Sequence, residues 1–387
     1  MSVADVLDRV KKLEPEIRER AGEIEQGRRV PRDLVDTLAA AGCFDLCVPA
    51  SFGGVGATLA ESLAVFDELC RIDGSVGWVV MIGATAPQLL SYLPSAAFDL
   101  VYGNGPAVHA GGTLAPKGRA AVEGDGYRVT GRWPFASGCE HCDWLIVHCL
   151  VTENDEMRMA PAGGPELKML LLARDDVEII DTWHVAGLKG TGSHDIAVSD
   201  VFVPAERAGS LFGGAATIDS TLFRIPVLCQ FSMTLASCAI GIARGALAGA
   251  VELAVTKRPS FKPGQRVAED PVARFELGRA DVLLTAATSL VQSQAEQAWN
   301  RAERDVPWTD IDRVRMRACG WQATRLATEV VELAYTAGGG TALYETSDLQ
   351  RRLRDVHAVT QHAGVGRDTV TWLGGFLTGE PVPDARL

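Results

Sequence analysis

Two short segments of this chain concentrate side chains that could do chemistry. The first is Gly131-Arg-Trp-Pro-Phe-Ala-Ser-Gly-Cys-Glu-His141. It reads as a strand running into small residues, where backbone or the Ser137 hydroxyl can come close to a flat ligand. The same composition also suits a turn that needs Gly138 for its dihedral angles. The second is Arg354-Asp-Val-His-Ala-Val-Thr-Gln-His362, which offers two imidazoles able to give or take a proton near neutral pH. On one continuous helix, His357 and His362 would lie about 140° apart, so one could face a ligand while the other faces a partner. A third group, Cys139, His141, Cys142, His148 and Cys149, looks like half a zinc site. Closed zinc sites usually draw a second ligand pair from farther downstream, and none is present. Trp144–Val151 also reads as a strand, which would turn His148 and Cys149 to opposite faces, so no metal is expected.

Other fingerprints are missing. Gly103/Gly105 and Gly338–Gly340 do not continue as G-x-G-x-x-G, no Gly-Lys-Ser/Thr occurs, and there is no G-x-S-x-G elbow. Nicotinamide dinucleotides, nucleoside triphosphates and serine-hydrolase chemistry are therefore not indicated. Any cofactor must bind by another fold.

The elements that would position these segments fall into three blocks. Val3, Val6, Leu7, Val10, Leu13 and Ile17 recur at helical spacing. Pro31 opens a helix over Arg32–Ala41 that Gly42 stops, and Thr58 with Glu61 forms a capping box for a helix running toward Arg71. From about Ala110 to Arg207 the period changes. Candidate strands are Tyr127–Trp133, Trp144–Val151, Leu167–Ala173, Val177–Asp181 and Ile196–Val203, with Thr152–Glu166 a surface loop. Because no helices separate them, the strands are expected to pair antiparallel. Helical period then returns in Met233–Lys257, Val272–Arg304, Arg313–Ala337 and Asp348–Leu373, enough for a bundle. The expected fold is α+β: helices over 1–108, a small antiparallel sheet domain over 109–212, and a helical bundle over 213–387.

Composition narrows the partners. With 47% hydrophobic and 22% charged residues in 387, the chain is an ordinary globular protein of two or three packed subdomains. A net charge of −12 excludes a nucleic-acid surface. No apolar run reaches the ~18–20 residues that span a bilayer, and no signal core is visible, so a cytoplasmic location without membrane attachment is expected. Nine scattered cysteines suit reduced thiols. The stretch Leu235-Ala-Ser-Cys-Ala-Ile-Gly-Ile-Ala243 is apolar all round, which predicts burial against further copies of the chain, most simply a homotetramer.

At Gly74-Ser-Val-Gly-Trp78, Trp133–Trp144 (WPFASGCEHCDW), Trp183–Pro204 (WHVAGLKGTGSHDIAVSDVFVP) and Arg354–His362 (RDVHAVTQH), the chain resembles the acyl-CoA dehydrogenase fold family. The order helices, sheet, bundle is that family's, over nearly the whole chain. Within it the likeness is closest to the two-component flavin-dependent monooxygenases, the group that includes 3-hydroxy-9,10-secosteroid and 4-hydroxyphenylacetate hydroxylase oxygenase components. Two departures separate it from the dehydrogenases. Their glutamate base shortly after the bundle's Arg-Asp pair corresponds to Ala363, in His362-Ala363-Gly364-Val365, and their Thr-Glu-Pro flavin loop is replaced by Gly112-Thr-Leu-Ala-Pro-Lys-Gly118.

The resemblance implies an oxygenase component that takes reduced FMN or FAD from a separate flavin reductase. With O2 it would form a flavin 4a-hydroperoxide that hydroxylates a small, phenolic or otherwise aromatic substrate. An N- or S-oxygenase, or an FAD-dependent acyl-CoA dehydrogenase with a displaced base, is the alternative. The resemblance places Ser137 beside the flavin N5. Phe135, Ala136 and Gly138 form the wall under the ring, Trp183 and Ser193 make ring and phosphate contacts, and Arg258 offsets the flavin's negative charge. His362 is the implied general base toward the substrate hydroxyl, while Arg354, Asp355 and His357 orient a helix or an interface.

Overall fold

The computed structural model describes residues 1–161, 163–259, 263–380 and 382. Its first block holds six helices: α1 (Val3–Glu19), α2 (Ala21–Gly27), α3 (Arg32–Ala40), α4 (Leu59–Ile72), α5 (Gly74–Leu90) and α6 (Ser95–Tyr102). One start and one end are set by local chemistry. Thr58 caps α4 in a reciprocal box with Glu61, and Gly42 ends the turn after α3 at φ 85°, a left-handed angle that glycine adopts without strain. Helix α5 has no polar face to betray it. It is buried nearly throughout, so its sequence shows no amphipathic period.

Eight strands follow: β1 (Ala110–Glu123), β2 (Gly126–Ala136), β3 (Trp144–Glu153), β4 (Glu156–Met157), β5 (Leu167–Ala173), β6 (Glu178–Ile180), β7 (His194–Pro204) and β8 (Ala208–Gly209). They form one sheet in the order β6-β7-β2-β1-β3-β5-β8, with β4 paired to β3. The expectation of an all-antiparallel sheet is corrected at one place: β1 and β3 pair in parallel. A crossover helix is unnecessary because β2 pairs antiparallel with β1 and itself carries the chain back to the edge where β1 began. The short turn after Ala136 then steps across β1, and β3 starts level with it (Ala110 opposite Trp144). Strand β1 escaped the sequence reading because Gly111, Gly112, Pro116 and Gly118 break its pattern. Gly118 is required there, since a Cβ would stand 1.9 Å from the Trp133 ring.

Among the described residues, five α-helices follow the sheet: α7 (Val227–Thr256), α8 (Pro271–Glu303), α9 (Asp310–Gly338), α10 (Asp348–Val359) and α11 (Asp368–Thr378). The helix expected over Asp348–Leu373 is two, broken across 360–367, so the 140° relation between His357 and His362 does not hold. The expectation of no membrane-length apolar run also needs correcting. By length and hydropathy α7 could cross a bilayer, but 61% of its apolar window is buried inside the protein. Helices α4, α5, α8, α9 and α10 cover it, so its apolar stretch is accounted for within one chain.

The core is divided by the sheet. Alternation along β3 sends Ile146 into the large core shared by the two helical blocks, while Leu145, Val147 and Cys149 join Trp133, Val129 and Ile196 in a second core.

Candidate active site

At the end of β2 the pairing with β7 slips: Trp133 faces Ile196 and Ala136 faces His194. Three residues on one strand thus match two on the other, a bulge that re-aims a side chain. The one it re-aims is Phe135, held at φ 65° and 67% exposed. A phenylalanine at positive φ costs of order 1–3 kcal/mol and persists only where its surroundings impose it. Its ring meets that of Trp183 edge-on, 6.2 Å away at 90°. Trp183 is fixed in turn by its backbone N–H, which with that of Thr182 donates to Nδ1 of the buried His194, both at 3.3 Å. Its indole N–H donates to the Leu188 carbonyl at 3.1 Å. Phe135 and Trp183 thus form an apolar corner open to a flat group.

Ala136, Ser137 and Gly138 turn inward from this corner. Ala136 is fully buried and Ser137 is 8% exposed, while Gly138 takes φ 68° and its N–H donates to the Thr191 carbonyl at 2.9 Å. The Ser137 hydroxyl accepts the Trp78 indole N–H at 3.1 Å and lies 2.7 Å from the Ser193 hydroxyl. Ser193 lies 2.7 Å from the Thr191 hydroxyl, which donates to the Leu188 carbonyl at 2.8 Å. Ser193 is therefore a buried partner of Ser137.

The loop carrying Thr191 and Ser193 is clamped by both helical blocks. Asp355 on α10 accepts the Leu188 N–H at 2.6 Å, and Ser75 at the start of α5 accepts the Gly190 N–H at 3.1 Å. Arg354 donates to the Ala186 carbonyl, and a Cβ on Gly187 would sit 2.0 Å from the Arg354 carbonyl. The Arg-Asp pair of the second sequence segment thus secures the β-domain loop. Burial, then the neighbouring Asp73 carboxylate, push the Asp355 carboxyl up to about 7.

His362 stands past the end of α10 in the break before α11, half-buried. Its Nδ1 accepts the Gly364 N–H at 3.0 Å. Burial lowers its pKa to about 4, so at neutral pH the ring is uncharged and its single proton is on Nε2. Trp78 bridges the two sequence segments, because its ring, hydrogen-bonded to Ser137, lies 6.0 Å from the His362 ring. Phe231 closes the other side at 5.2 Å. His357, in contrast, is exposed on α10 and pairs with Glu332 of α9 at 3.4 Å.

Phe135, Ala136, Ser137, Gly138, Trp183, Ser193 and His362 are thus gathered around one place. Arg258 is not with them. It is exposed, just past the far end of α7, and Phe231 beside His362 is in the second turn of that helix. Twenty-seven residues of rise separate them by roughly 40 Å. Trp78, Thr191 and Phe231 were not singled out individually from the sequence. Trp78 stands in a segment of the family likeness, but nothing local in the sequence connects it to Ser137.

Comparison with known proteins identifies the family. The acyl-CoA dehydrogenase N-terminal domain family matches residues 6–94 and the acyl-CoA dehydrogenase C-terminal domain family matches residues 233–367. Indole-3-acetate monooxygenase of Pseudomonas putida is 33% identical over 373 residues, covering 95% of this chain and 92% of the relative. The flavin-dependent monooxygenase oxygenase subunit HsaA of Mycobacterium tuberculosis is 31% identical over 375 residues, covering 92% and 91%. The structure of XiaF from a Streptomyces species, in complex with FADH2 and glycerol, superposes with a TM-score of 0.91 at 28% identity, covering 98% and 97%. The chain belongs to the flavin-dependent monooxygenases of the acyl-CoA dehydrogenase fold, and is an oxidoreductase.

Proposed function

We propose that this chain is the oxygenase component of a two-component system, receiving reduced FMN or FAD from a separate reductase and using O2 to hydroxylate a small aromatic substrate. Among its own residues, the observation that carries this is the corner at Phe135. A strained, exposed aromatic sits beside a buried serine hydroxyl, with a neutral histidine reached through one tryptophan. The corner fits the flavin ring on its own features. Phe135 and Trp183 offer apolar surface, the turn at Gly138 brings backbone close, and Ser137 has an acceptor lone pair left over. Bound reduced flavin supplies the electrons with which O2 is activated.

The protein's residues do the rest. Ser137 meets the ring edge at N5, and Phe135, Ala136 and Gly138 back it. Trp78 and Phe231 exclude water from the space before His362. His362 is read from the likeness as the base toward the substrate hydroxyl, but its geometry supports a narrower role. With Nδ1 occupied by Gly364, a neutral imidazole presents only Nε2–H. It donates to the substrate oxygen and favours the ionised, electron-rich form of the phenol. Taking a proton would need the ring to give up the Gly364 N–H. Ala363, at the position of the dehydrogenases' carboxylate, has no proton-accepting group, which argues against acyl-CoA dehydrogenation.

A homotetramer belongs to this reading. Val272, Phe275 and Val282 on α8, Leu343 and Tyr344 before α10, and Leu377 on α11 are large apolar side chains left exposed by the single chain. Arg258 is free to act only at a site other than this chain's own Ser137 corner. A cytoplasmic location fits the need for a reductase fed by reduced nicotinamide.

The test is an oxygen-consumption assay. The protein alone should leave NADH unoxidised. With a flavin reductase, flavin and NADH it should couple oxygen to hydroxylation of at least one member of a panel of phenols and indoles. NADH oxidation without the reductase, or no hydroxylated product from any member of the panel, would sink the proposal.

A further inference from the structure

The hydroxyls behind Ser137 form a chain whose proton directions are forced. Start at the closed end. The Leu188 carbonyl can only accept, so the single Thr191 hydroxyl proton is given to it. Thr191 must then accept from Ser193 across 2.7 Å. The Ser193 proton is thereby used, so across the next 2.7 Å Ser137 is the donor and Ser193 the acceptor. At the other end the Trp78 indole N–H can only donate, and Ser137 accepts it. Thr191, Ser193 and Ser137 are 1%, 3% and 8% exposed, so bulk water is not at hand to offer an alternative arrangement. The result is that Ser137 faces outward with a lone pair and no proton.

We infer that Thr191 and Ser193 are positioning residues that make Ser137 a pure acceptor, so that the site selects reduced over oxidised flavin. This rests on the reading that the flavin N5 lies at Ser137. In reduced flavin N5 carries a hydrogen and donates, which an acceptor satisfies. In oxidised flavin N5 has only a lone pair, and two lone pairs would face each other. To satisfy oxidised flavin, Ser137 would have to turn its proton outward, leaving Ser193 without the hydrogen it now accepts and the buried chain short of one bond. Unmade hydrogen bonds between buried polar groups are the costly ones. An oxygenase supplied by a separate reductase gains from this, because oxidised flavin is in solution alongside the reduced form and would otherwise compete for the site.

Anaerobic titrations with reduced and oxidised FMN and FAD test the inference through binding alone. Ser193→Ala frees the Ser137 proton, and Thr191→Val lets Ser193 turn its proton toward Ser137. In both, oxidised flavin should bind more tightly while reduced flavin changes little. The preference for reduced flavin should fall about tenfold, the worth of one hydrogen bond. Thr191→Ser keeps a hydroxyl for Leu188 and should keep the parent preference. Thermal melts of each variant confirm that the fold is intact, and either of the first two suffices if the other does not fold. An unchanged preference in Ser193→Ala and Thr191→Val, with Ser137→Ala still weakening reduced flavin, would overturn the proton-direction argument and leave the site reading standing. A preference lost equally in Thr191→Ser would mean that packing, not proton direction, is responsible, and also overturns it. If Ser137→Ala alters neither affinity, flavin does not bind there and the site reading fails with it.

Discussion

His362 is the residue whose replacement discriminates best between ways of working. Its Nδ1 accepts the Gly364 N–H at 3.0 Å, and burial holds its pKa at about 4 against an ordinary 6.5. At pH 7 only about one ring in a thousand is protonated. If Nε2–H donates to an ionising substrate oxygen, the interaction is a hydrogen bond to a charged group, worth about 1.5–3 kcal/mol, or roughly 10- to 150-fold in rate. A group that removed the proton itself would be worth ~10²–10⁴. The informative pair is therefore His362→Ala and His362→Gln. Glutamine retains an N–H donor of similar reach but cannot take up a proton, so it should recover most of the rate lost in the alanine variant. Single-turnover hydroxylation with pre-reduced flavin reads the rate, and hydrogen peroxide released per oxygen consumed reads the uncoupling, which should rise as product falls. Reduced-flavin affinity should stay close to the parent's.

The sign of the pH dependence follows from the same values. A histidine with a depressed native pKa binds fewer protons folded than unfolded between pH 4 and 6.5. Its contribution thus destabilises the protein as pH falls through that window and is constant above it. The full displacement corresponds to at most about 3 kcal/mol, less what solvent screens at a half-buried ring. Activity of the parent should show no break near 6.5 from this group. The reasoning is refuted if such a break is present and vanishes in His362→Gln. It is also refuted if glutamine is as inactive as alanine, or if the alanine variant couples oxygen to product as well as the parent does.

Asp355→Asn should stabilise the protein, and increasingly so toward pH 7, because an acid raised from 3.8 to about 7 loses its stabilising contribution over that interval and is constant above it. At about 1.4 kcal/mol per unit the ceiling is roughly 4 kcal/mol. Urea unfolding at pH 6, 7 and 8 should show the gain rising between the first two and flat between the last. Light scattering at micromolar concentration should give a tetramer, and Phe275→Asp together with Val282→Asp on α8 should reduce the assembled mass without lowering helix content. A monomeric parent would count against the assembly.

What the sequence made legible was what is encoded within a few residues. The Thr58–Glu61 box, the Gly42 stop and the strand at Trp144–Val151 are each local geometries, and each is found. Helix α5 was invisible for a physical reason: a helix buried on all sides has no polar stripe, and so lacks the period that is the primary signal of a helix in a sequence. The parallel pairing of β1 with β3 could not be foreseen while β1 itself was hidden by its glycines, and because a hairpin strand rather than a crossover helix brings the chain back. The break at 360–367 was hidden because helical spacing resumes after it.

The candidate site is legible only in part, because its chemistry lies between segments rather than within them. Ser137, Phe135 and His362 could be suspected from residue type and family likeness. What Ser137 can do depends on Trp78 fifty-nine residues earlier and on Ser193 fifty-six later. Those distances in sequence are closed by packing: α5 is drawn into the large core, and the 187–193 loop is clamped by Asp355 and by glycines that let it lie against α10 and α5. The same clamp explains why the Arg354-Asp355 pair stands in this chain although the carboxylate base that follows it in the dehydrogenases does not. Abstraction of a substrate proton needs that base, and oxygenation does not. In this chain the segment's Arg354 and Asp355 fix the β-domain loop against the bundle, a role that does not depend on that base.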